Sequence, residues 1–141
     1  MILTLGGLTS LSLPPFNFFI VNFFTFSVFF IFLFKKLDRQ ISKKKFFYYG
    51  WLFGFSFFLT SLYWITISLT FDENLSFLIP VALFLVPFFL ALFYGLVVFI
   101  FYLIRPKNIL SAFFLFSLLF GIIDFIRGTI LSGFPWNLIV Y

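Results

Sequence analysis

Long apolar stretches alternate with short polar ones along the chain. One short stretch and four long ones are separated by prolines or charged residues: 1–13, 16–34, 46–71, 76–104 and 109–131. Roughly 18 to 20 apolar residues form a helix that crosses a bilayer, whereas the first stretch reaches only about 20 Å into a core of about 30 Å. The pattern predicts an all-α fold: a polytopic membrane helix bundle of four full spans plus a short N-terminal half-span. We expect a single transmembrane domain over residues 1–141.

The composition excludes a soluble domain and narrows the chemistry. Apolar residues make up 64% of the chain and charged residues only 9%, too few to cover the surface of a soluble globule. The 30 phenylalanines do not by themselves indicate an aromatic site, because phenylalanine is tolerated where a helix faces lipid. Cysteine and histidine are absent from the sequence, which excludes disulfides, thiol nucleophiles and metal sites built on those residues. We expect no metal and no cofactor.

The charges lie mainly in the short stretches between the apolar ones. Residues 35–45 carry six positive charges against one negative, and residues 105–108 are also basic. Basic loops remain on the cytoplasmic side of a membrane, which places both of these stretches there. The acidic turn 72–75 and residues 133–141 are then extracytoplasmic. A basic run also occurs in nucleic-acid-binding proteins, but between two spans it is typical of a topology anchor that contacts anionic lipid; no nucleic-acid partner is expected.

The stretch 46–71 has features of a central helix. Gly50 and Gly54 are four residues apart, a spacing that lets membrane helices approach closely. Tyr63 and Trp64 near its outer end fit an aromatic belt at the membrane surface. Trp64 lies about one turn deeper than a belt residue needs to be, so a position lining a cavity stays open as a second interpretation.

The chain from residue 124 onward combines both signs of charge with a rigid turn. Asp124 and Arg127 are three residues apart on one helical face, where each offsets the cost of the other's charge in hydrocarbon. The helix pattern then breaks into a turn of four candidate residues: Gly133, Phe134, Pro135 and Trp136. Two interpretations remain open. The ion pair either fixes the helix end or contacts a substrate, and Trp136 either belongs to the interfacial belt or is held by Pro135 in a substrate path.

Four segments of the chain resemble, in the same order, the N-terminal membrane region of the apolipoprotein N-acyltransferases. Asp124 and Gly133 stand in the two most specific of them, the acidic-x-x-Arg-Gly motif and the GFPW motif. The family usually has glutamate where this chain has Asp124, and glycine where it has Val140. The segments are LPPFN at 13–17, GWLFGFSFFLTSLYWI at 50–65, DFIRG at 124–128, and GFPW at 133–136 with Tyr141.

The resemblance implies a function in the bacterial inner membrane. Members transfer an acyl chain from a phospholipid donor to the N-terminal diacylglyceryl-cysteine of a lipoprotein acceptor. They do so in a nitrilase-like domain with a Glu-Lys-Cys triad whose thiolate carries the acyl chain. Because this chain has no cysteine, we expect no catalytic residue in it. Its implied role is to anchor and support the catalytic domain in contact with the phospholipid bilayer.

The chain stops at Tyr141, inside a family motif. This predicts a fragment, a truncated product or one half of a split gene. The alternative is a stand-alone, non-enzymatic membrane protein that binds lipid or a partner subunit. A transporter is a weaker alternative, because within the spans only Asp124 and Arg127 are charged, and transport needs a polar pathway through the midplane.

Overall fold

A computed structural model describes residues 1–14, 16–37, 39, 41–63 and 77–130. Five α-helices and one short 3₁₀ turn make up its regular structure, and these residues contain no strand. In chain order they are α1 (Ile2–Thr9), the 3₁₀ turn (Ser10–Ser12), α2 (Phe19–Leu37), α3 (Lys43–Ser61), α4 (Ile79–Ile104) and α5 (Ile109–Ile130). The predicted all-α fold is confirmed.

Three helices are long and apolar enough to cross a membrane, namely α2, α4 and α5. They correspond to three of the four full spans that the sequence predicts. The predicted half-span corresponds to a short apolar helical segment from Ile2 to Ser12. The fourth full span, 46–71, is not confirmed: α3 covers its first part to Ser61, and residues 64–71 lie outside the described residues.

Helix α2 begins and ends three residues later than the apolar pattern predicts. Its start is delayed because Asn17 adopts a left-handed backbone conformation, with φ of 55°, between the proline turn and the helix. Its end includes Lys35 and Lys36 in the last turn. Positive side chains there interact favourably with the partial negative charge at a helix C-terminus, so the helix continues past the apolar residues.

Local signals in the sequence set the other connections at this end of the bundle. Ser42 caps α3, its hydroxyl accepting a hydrogen bond from the backbone N–H of Lys44 at 3.4 Å. Arg105 leaves α4 in a left-handed conformation (φ 47°) just before Pro106. The side-chain oxygen of Asn108 then accepts a hydrogen bond from the N–H of Leu110 at 2.9 Å and starts α5. Only four residues therefore connect α4 to α5.

Helix α3 is central, as its glycines predict, and packs against both α1 and α4. A Cβ atom at Gly50 would lie 2.7 Å from Val98 Cγ2, and one at Gly54 would lie 2.9 Å from Tyr94 Cβ. Any larger side chain would therefore separate α3 from α4. On its other faces α3 contributes to a phenylalanine core, where the rings of Phe29 and Phe53 stack at 4.3 Å. The two glycines thus determine how closely the helices that surround the candidate site approach each other.

Candidate functional site

Two charged side chains are buried together near the end of α5. Arg127 Nη2 donates to Asp124 Oδ1 at 3.1 Å. The arginine is 1% exposed and the aspartate 4%. Their i, i+3 spacing puts both on one helical face, and the pairing agrees with the sequence prediction. Aspartate in place of the family's usual glutamate still reaches the guanidinium.

An aromatic ring from α3 covers the guanidinium. Arg127 Cζ lies 4.9 Å from the centroid of the Phe58 ring. A cation placed over an aromatic face is attracted by the ring quadrupole, and more strongly where water is excluded. Arg127 is thus neutralised by Asp124 within its own helix and held by Phe58 from a neighbouring one, which ties the end of α5 to the end of α3.

Tyr94 of α4 completes the cluster. Its ring is fully buried, with centroids 5.2 Å from Phe58 and 5.0 Å from Phe120. Its hydroxyl lies in the electrostatic field of both Asp124 and Arg127. Among the described residues this hydroxyl makes no hydrogen bond of standard geometry, although Asp124 lies close enough to interact with it. Gly54 makes room for the ring, because a Cβ atom there would lie 3.1 Å from Tyr94 Cδ2.

We call Asp124, Arg127, Phe58 and Tyr94 the charge clamp. Its members come from α3, α4 and α5, so it joins the C-terminal parts of α3 and α5 to the middle of α4. Both charges are almost inaccessible, which suits a group that fixes helix ends better than one that exchanges protons with a substrate. Among the described residues, no group of three or more acidic, histidine or cysteine side chains lies together that could hold a metal ion.

The other candidate residues of the sequence analysis are placed only in part. Tyr63 follows the end of α3 and is 51% exposed, at the same end of the bundle as the charge clamp. The remaining candidates lie outside the described residues: Trp64, Gly133, Phe134, Pro135 and Trp136.

A groove runs along the surface beside the charge clamp, between α2 and α5. Its volume is about 270 Å³, and Asp124 forms part of its lining. Five phenylalanines contribute most of the wall. Smaller or polar residues supply the rest, namely Asn22, Ser27, Ser117 and Gly121.

Sequence reasoning missed three of these residues. Tyr94 had a usable signal, because tyrosine is enriched at membrane interfaces and this one lies in the middle of an apolar helix. The signal for Asn22 was weaker: it is an amide close to the start of a membrane helix. Phe58 had no signal in the sequence, since it is one of 30 phenylalanines. Only the packing of α3 against α5 distinguishes it from the others.

The family match and the similar known proteins all indicate the same family for this chain. Residues 5–141 match the family described as the apolipoprotein N-acyltransferase N-terminal domain. The chain is 37% identical over 140 residues to an apolipoprotein N-acyltransferase of Rickettsia prowazekii, covering 99% of this chain and 27% of that relative. It is 34% identical over 143 residues to one from Allorhizobium ampelinum, covering 96% and 27%, and 33% identical over 146 residues to one from Brucella melitensis, covering 96% and 26%.

The matched region is the first part of a longer architecture, since the chain spans about a quarter of the length of these curated relatives. No solved structure matches the chain significantly. The helices of membrane-crossing length and the match over nearly the whole chain agree with each other. The chain belongs to the apolipoprotein N-acyltransferase family and corresponds to its N-terminal membrane domain.

Proposed function

We propose that this chain serves an apolipoprotein N-acyltransferase, which transfers an acyl chain from a phospholipid to the N-terminal diacylglyceryl-cysteine of a lipoprotein. The proposal is supported by the family match over residues 5–141. The chain anchors and supports the catalytic part of that enzyme in the membrane. It also forms part of the membrane surface along which the phospholipid donor and the lipoprotein acceptor approach.

The observation that carries this role is the charge clamp at the end of α5. Arg127 lies three residues before Ile130, the last residue of the helix, and the GFPW segment 133–136 follows directly. A buried pair that binds α5 to α3 and α4 fixes the end of the helix that precedes this segment in the sequence. We therefore assign Asp124 and Arg127 a positioning role, and we assign substrate contact to three residues that follow: Phe134, Pro135 and Trp136.

We further propose that residues 1–141 form one domain with four full spans, α3 and the residues after it providing the fourth. The lysines lie in the last turn of α2, the first turn of α3 and the connection after α4, all at one end of the bundle. A cluster of positive charges at one end of a membrane bundle favours the cytoplasmic side. Loops 35–45 and 105–108 then face the cytoplasm, and 72–75 and 133–141 face the opposite side of a bacterial inner membrane.

The orientation can be tested by cysteine labelling, because the sequence contains no cysteine. Asn17 and Asn108 are both exposed and lie at opposite ends of the bundle. In spheroplasts, a membrane-impermeant maleimide should modify Asn17→Cys and should modify Asn108→Cys only after permeabilisation. Labelling of Asn108→Cys in sealed spheroplasts would contradict the proposed topology.

The function can be tested with a chimera. Residues 1–141 replace the matching first quarter of the Rickettsia prowazekii relative, and the chimera is expressed in a strain depleted of its own N-acyltransferase. We expect the mass of the N-terminal lipopeptide from a lipoprotein to show the added acyl chain. A chimera carrying an unrelated four-span bundle of equal length serves as the control.

The control separates anchoring from a specific role. If both chimeras insert and only this chain restores N-acylation, the proposed role holds. Equal restoration by the unrelated bundle would reduce the role to anchoring and refute a contribution to the substrate path. An inserted but inactive chimera would refute the proposed function.

A further inference from the structure

The positive charge of the chain is concentrated where α2 and α4 end and α3 begins. Eight of the nine Lys and Arg residues lie there, in the stretches 35–45 and 105–107. Asp38, the acid in these stretches, lies outside the described residues. Two of the cations, Lys36 and Arg105, are held on aromatic rings. Lys36 belongs to the last turn of α2, and Arg105 follows the last residue of α4.

Four rings from three helices form a continuous row at this end of the bundle. Phe32 of α2 contacts Tyr49 of α3 with ring centroids at 5.3 Å, and Phe46 of α3 contacts Tyr49 at 6.0 Å. Phe46 also contacts Tyr102 of α4, with centroids at 4.5 Å. We call these four rings the aromatic row. Phe46 is fully buried and the other three rings are half-buried, so the row has a buried centre and accessible ends.

A cation lies over each end of the aromatic row. Lys36 Nζ is 4.9 Å from the ring centroid of Phe32 and 5.7 Å from that of Tyr49. Arg105 Cζ is 4.5 Å from the ring centroid of Tyr102, and Arg105 Nη2 donates to the Tyr102 hydroxyl at 2.6 Å. A cation within about 6 Å of a ring centroid is attracted by the ring quadrupole. Both cations are therefore positioned before a ligand arrives, which reduces the entropy that binding costs.

The Tyr102 hydroxyl fixes the direction of the contact with Arg105. It donates its own proton to the carbonyl oxygen of Ile41 at 3.0 Å, in the connection between α2 and α3. Its oxygen is then free to accept from Arg105. A guanidinium has five N–H donors and an ammonium three, so most donors of Arg105 and Lys36 remain for an anion. Among the described residues neither cation is paired with a carboxylate.

The start of α3 favours an anion at the same end of the bundle. Helix α3 begins at Lys43, just before Phe46, and its first turn contains no acidic residue. The partial positive charge at a helix N-terminus attracts anions and repels cations, yet the first three residues of α3 are lysines. An anion bound beside the aromatic row would offset this repulsion.

We propose that the aromatic row, with Lys36 and Arg105, binds a phospholipid that has two phosphates, the chemistry of cardiolipin. Each cation binds one phosphate, because Phe46 lies between the two ends of the row. The acyl chains pack against Leu103 and Ile104, which are exposed directly before Arg105. Basic sites between membrane helices on the cytoplasmic side are typical of cardiolipin. The binding requires neither acyl transfer nor the proposed orientation, so its failure and that of the proposed function are distinguishable.

Native mass spectrometry measures this binding directly. The chain is purified in an uncharged detergent at about 0.15 M salt, where charges more than about 8 Å apart are largely screened. It is titrated with cardiolipin or with phosphatidylglycerol, which has a single phosphate. Cardiolipin should bind at least about tenfold more tightly, as expected from a second charge-assisted hydrogen bond. Equal affinity would overturn the proposal, as would displacement of cardiolipin by an excess of inorganic phosphate.

Two charge-matched variants separate a built site from a diffuse positive field. Lys36→Gln/Arg105→Gln removes both ring-held cations and should weaken cardiolipin binding at least about tenfold. Lys44→Gln/Lys107→Gln removes two exposed cations from the same end of the bundle, and should weaken it less than about threefold because salt screens their charge. Equal losses would show that net charge alone attracts the lipid, and the proposed site would not exist.

Tyr102→Phe tests the positioning of Arg105 without changing any charge. The variant keeps the ring of the aromatic row and removes the hydroxyl that accepts from Arg105. We expect cardiolipin affinity to fall about three- to tenfold, the effect of one hydrogen bond of ordinary net strength. Tyr48→Phe, at an exposed tyrosine outside the row, should leave the affinity unchanged. Circular dichroism confirms that each variant keeps its helices, and undiminished affinity of folded Tyr102→Phe would overturn the proposal.

Discussion

Two helix seams of this bundle, one between α3 and α4 and one between α2 and α5, differ although glycine contributes to both. Between α3 and α4, Gly50 and Gly54 face the backbone and side chains of the neighbouring helix, with no room for a Cβ atom. Between α2 and α5, Gly121 faces open space. The first seam is closed and the second contains a groove. Glycine therefore brings helices together only where its partner approaches, and elsewhere it leaves open space beside the helix.

The charge clamp lies where the two seams meet. Arg127 reaches towards the closed seam and packs on Phe58, while Asp124 forms part of the wall of the open groove. Helix packing in a membrane lacks the hydrophobic driving force that water supplies, so close packing and polar contacts must hold the helices. The closed seam is held by close packing, and the charge clamp is held by polar contacts.

The largest expected effect is that of breaking the ion pair. Arg127→Ala leaves the Asp124 carboxylate buried and without its cation, and removal of one partner of a buried pair typically costs about 3–5 kcal/mol. The double variant Asp124→Ala/Arg127→Ala removes both charges and should be more stable than Arg127→Ala alone. Reversible unfolding in mixed micelles measures the free energy of each variant.

Asp124→Ala alone completes the double-mutant cycle and gives the coupling between the two side chains. A favourable coupling above about 1 kcal/mol is expected for a close, desolvated pair. If the double variant proved the least stable of the three, each side chain would contribute through separate packing contacts, and the clamp would not act as an ion pair.

The second prediction makes the same substitution in both seams. Gly50→Ala places a Cβ atom 2.7 Å from Val98 Cγ2 and closer still to the carbonyl oxygen of Tyr94, which cannot move without shifting α4. Overpacking of this kind costs about 1–3 kcal/mol. Gly121→Ala meets nothing and should stabilise α5 by up to about 1 kcal/mol through helix propensity.

The difference between these two variants tests whether the seams are distinct. The free energies of unfolding should move in opposite directions, with Gly50→Ala destabilising. Equal losses would show that α2 and α5 are as closely packed at Gly121 as α3 and α4 are at Gly50, and the groove would then be closed in solution.

The sequence predicted the helices and their order but not which faces meet. The apolar runs identify α2, α4 and α5, because a membrane span needs a continuous length of apolar residues. The spacing of Gly50 and Gly54 correctly predicts a central α3. Helix α2 continues three residues past the predicted span, since Lys35 and Lys36 belong to its last turn; a favourable dipole interaction is not visible in an apolar pattern.

The partners of the candidate site could not be predicted for a physical reason. Lipid and protein interior are both apolar, so the faces of these helices show no strong division into buried and exposed sides. The pairing of Asp124 with Arg127 is local and follows from their spacing. The contacts of Arg127 with Phe58, and the position of Tyr94, depend on three helices that are distant in sequence. For the same reason Gly50 and Gly121 look alike until the structure shows their surroundings.

The smallest expected effect separates a tyrosine hydroxyl with well-formed hydrogen bonds from one without any of standard geometry. Tyr102 donates to the Ile41 carbonyl oxygen at 3.0 Å and accepts from Arg105 Nη2 at 2.6 Å, so Tyr102→Phe should cost about 0.6 kcal/mol or slightly more, as for other polar contacts in membrane proteins. In the described structure the Tyr94 hydroxyl is buried and makes no hydrogen bond of standard geometry, although Asp124 lies beside it. Burial of a hydroxyl without a well-formed hydrogen bond is unfavourable, so Tyr94→Phe should leave the free energy of unfolding unchanged or raise it. Both variants keep the aromatic ring and its packing, which makes each the control for the other. A loss for Tyr94→Phe as large as that for Tyr102→Phe would mean that the Tyr94 hydroxyl bonds to Asp124 in the membrane, and the closed seam would then be joined to the groove through a hydrogen bond as well as through packing.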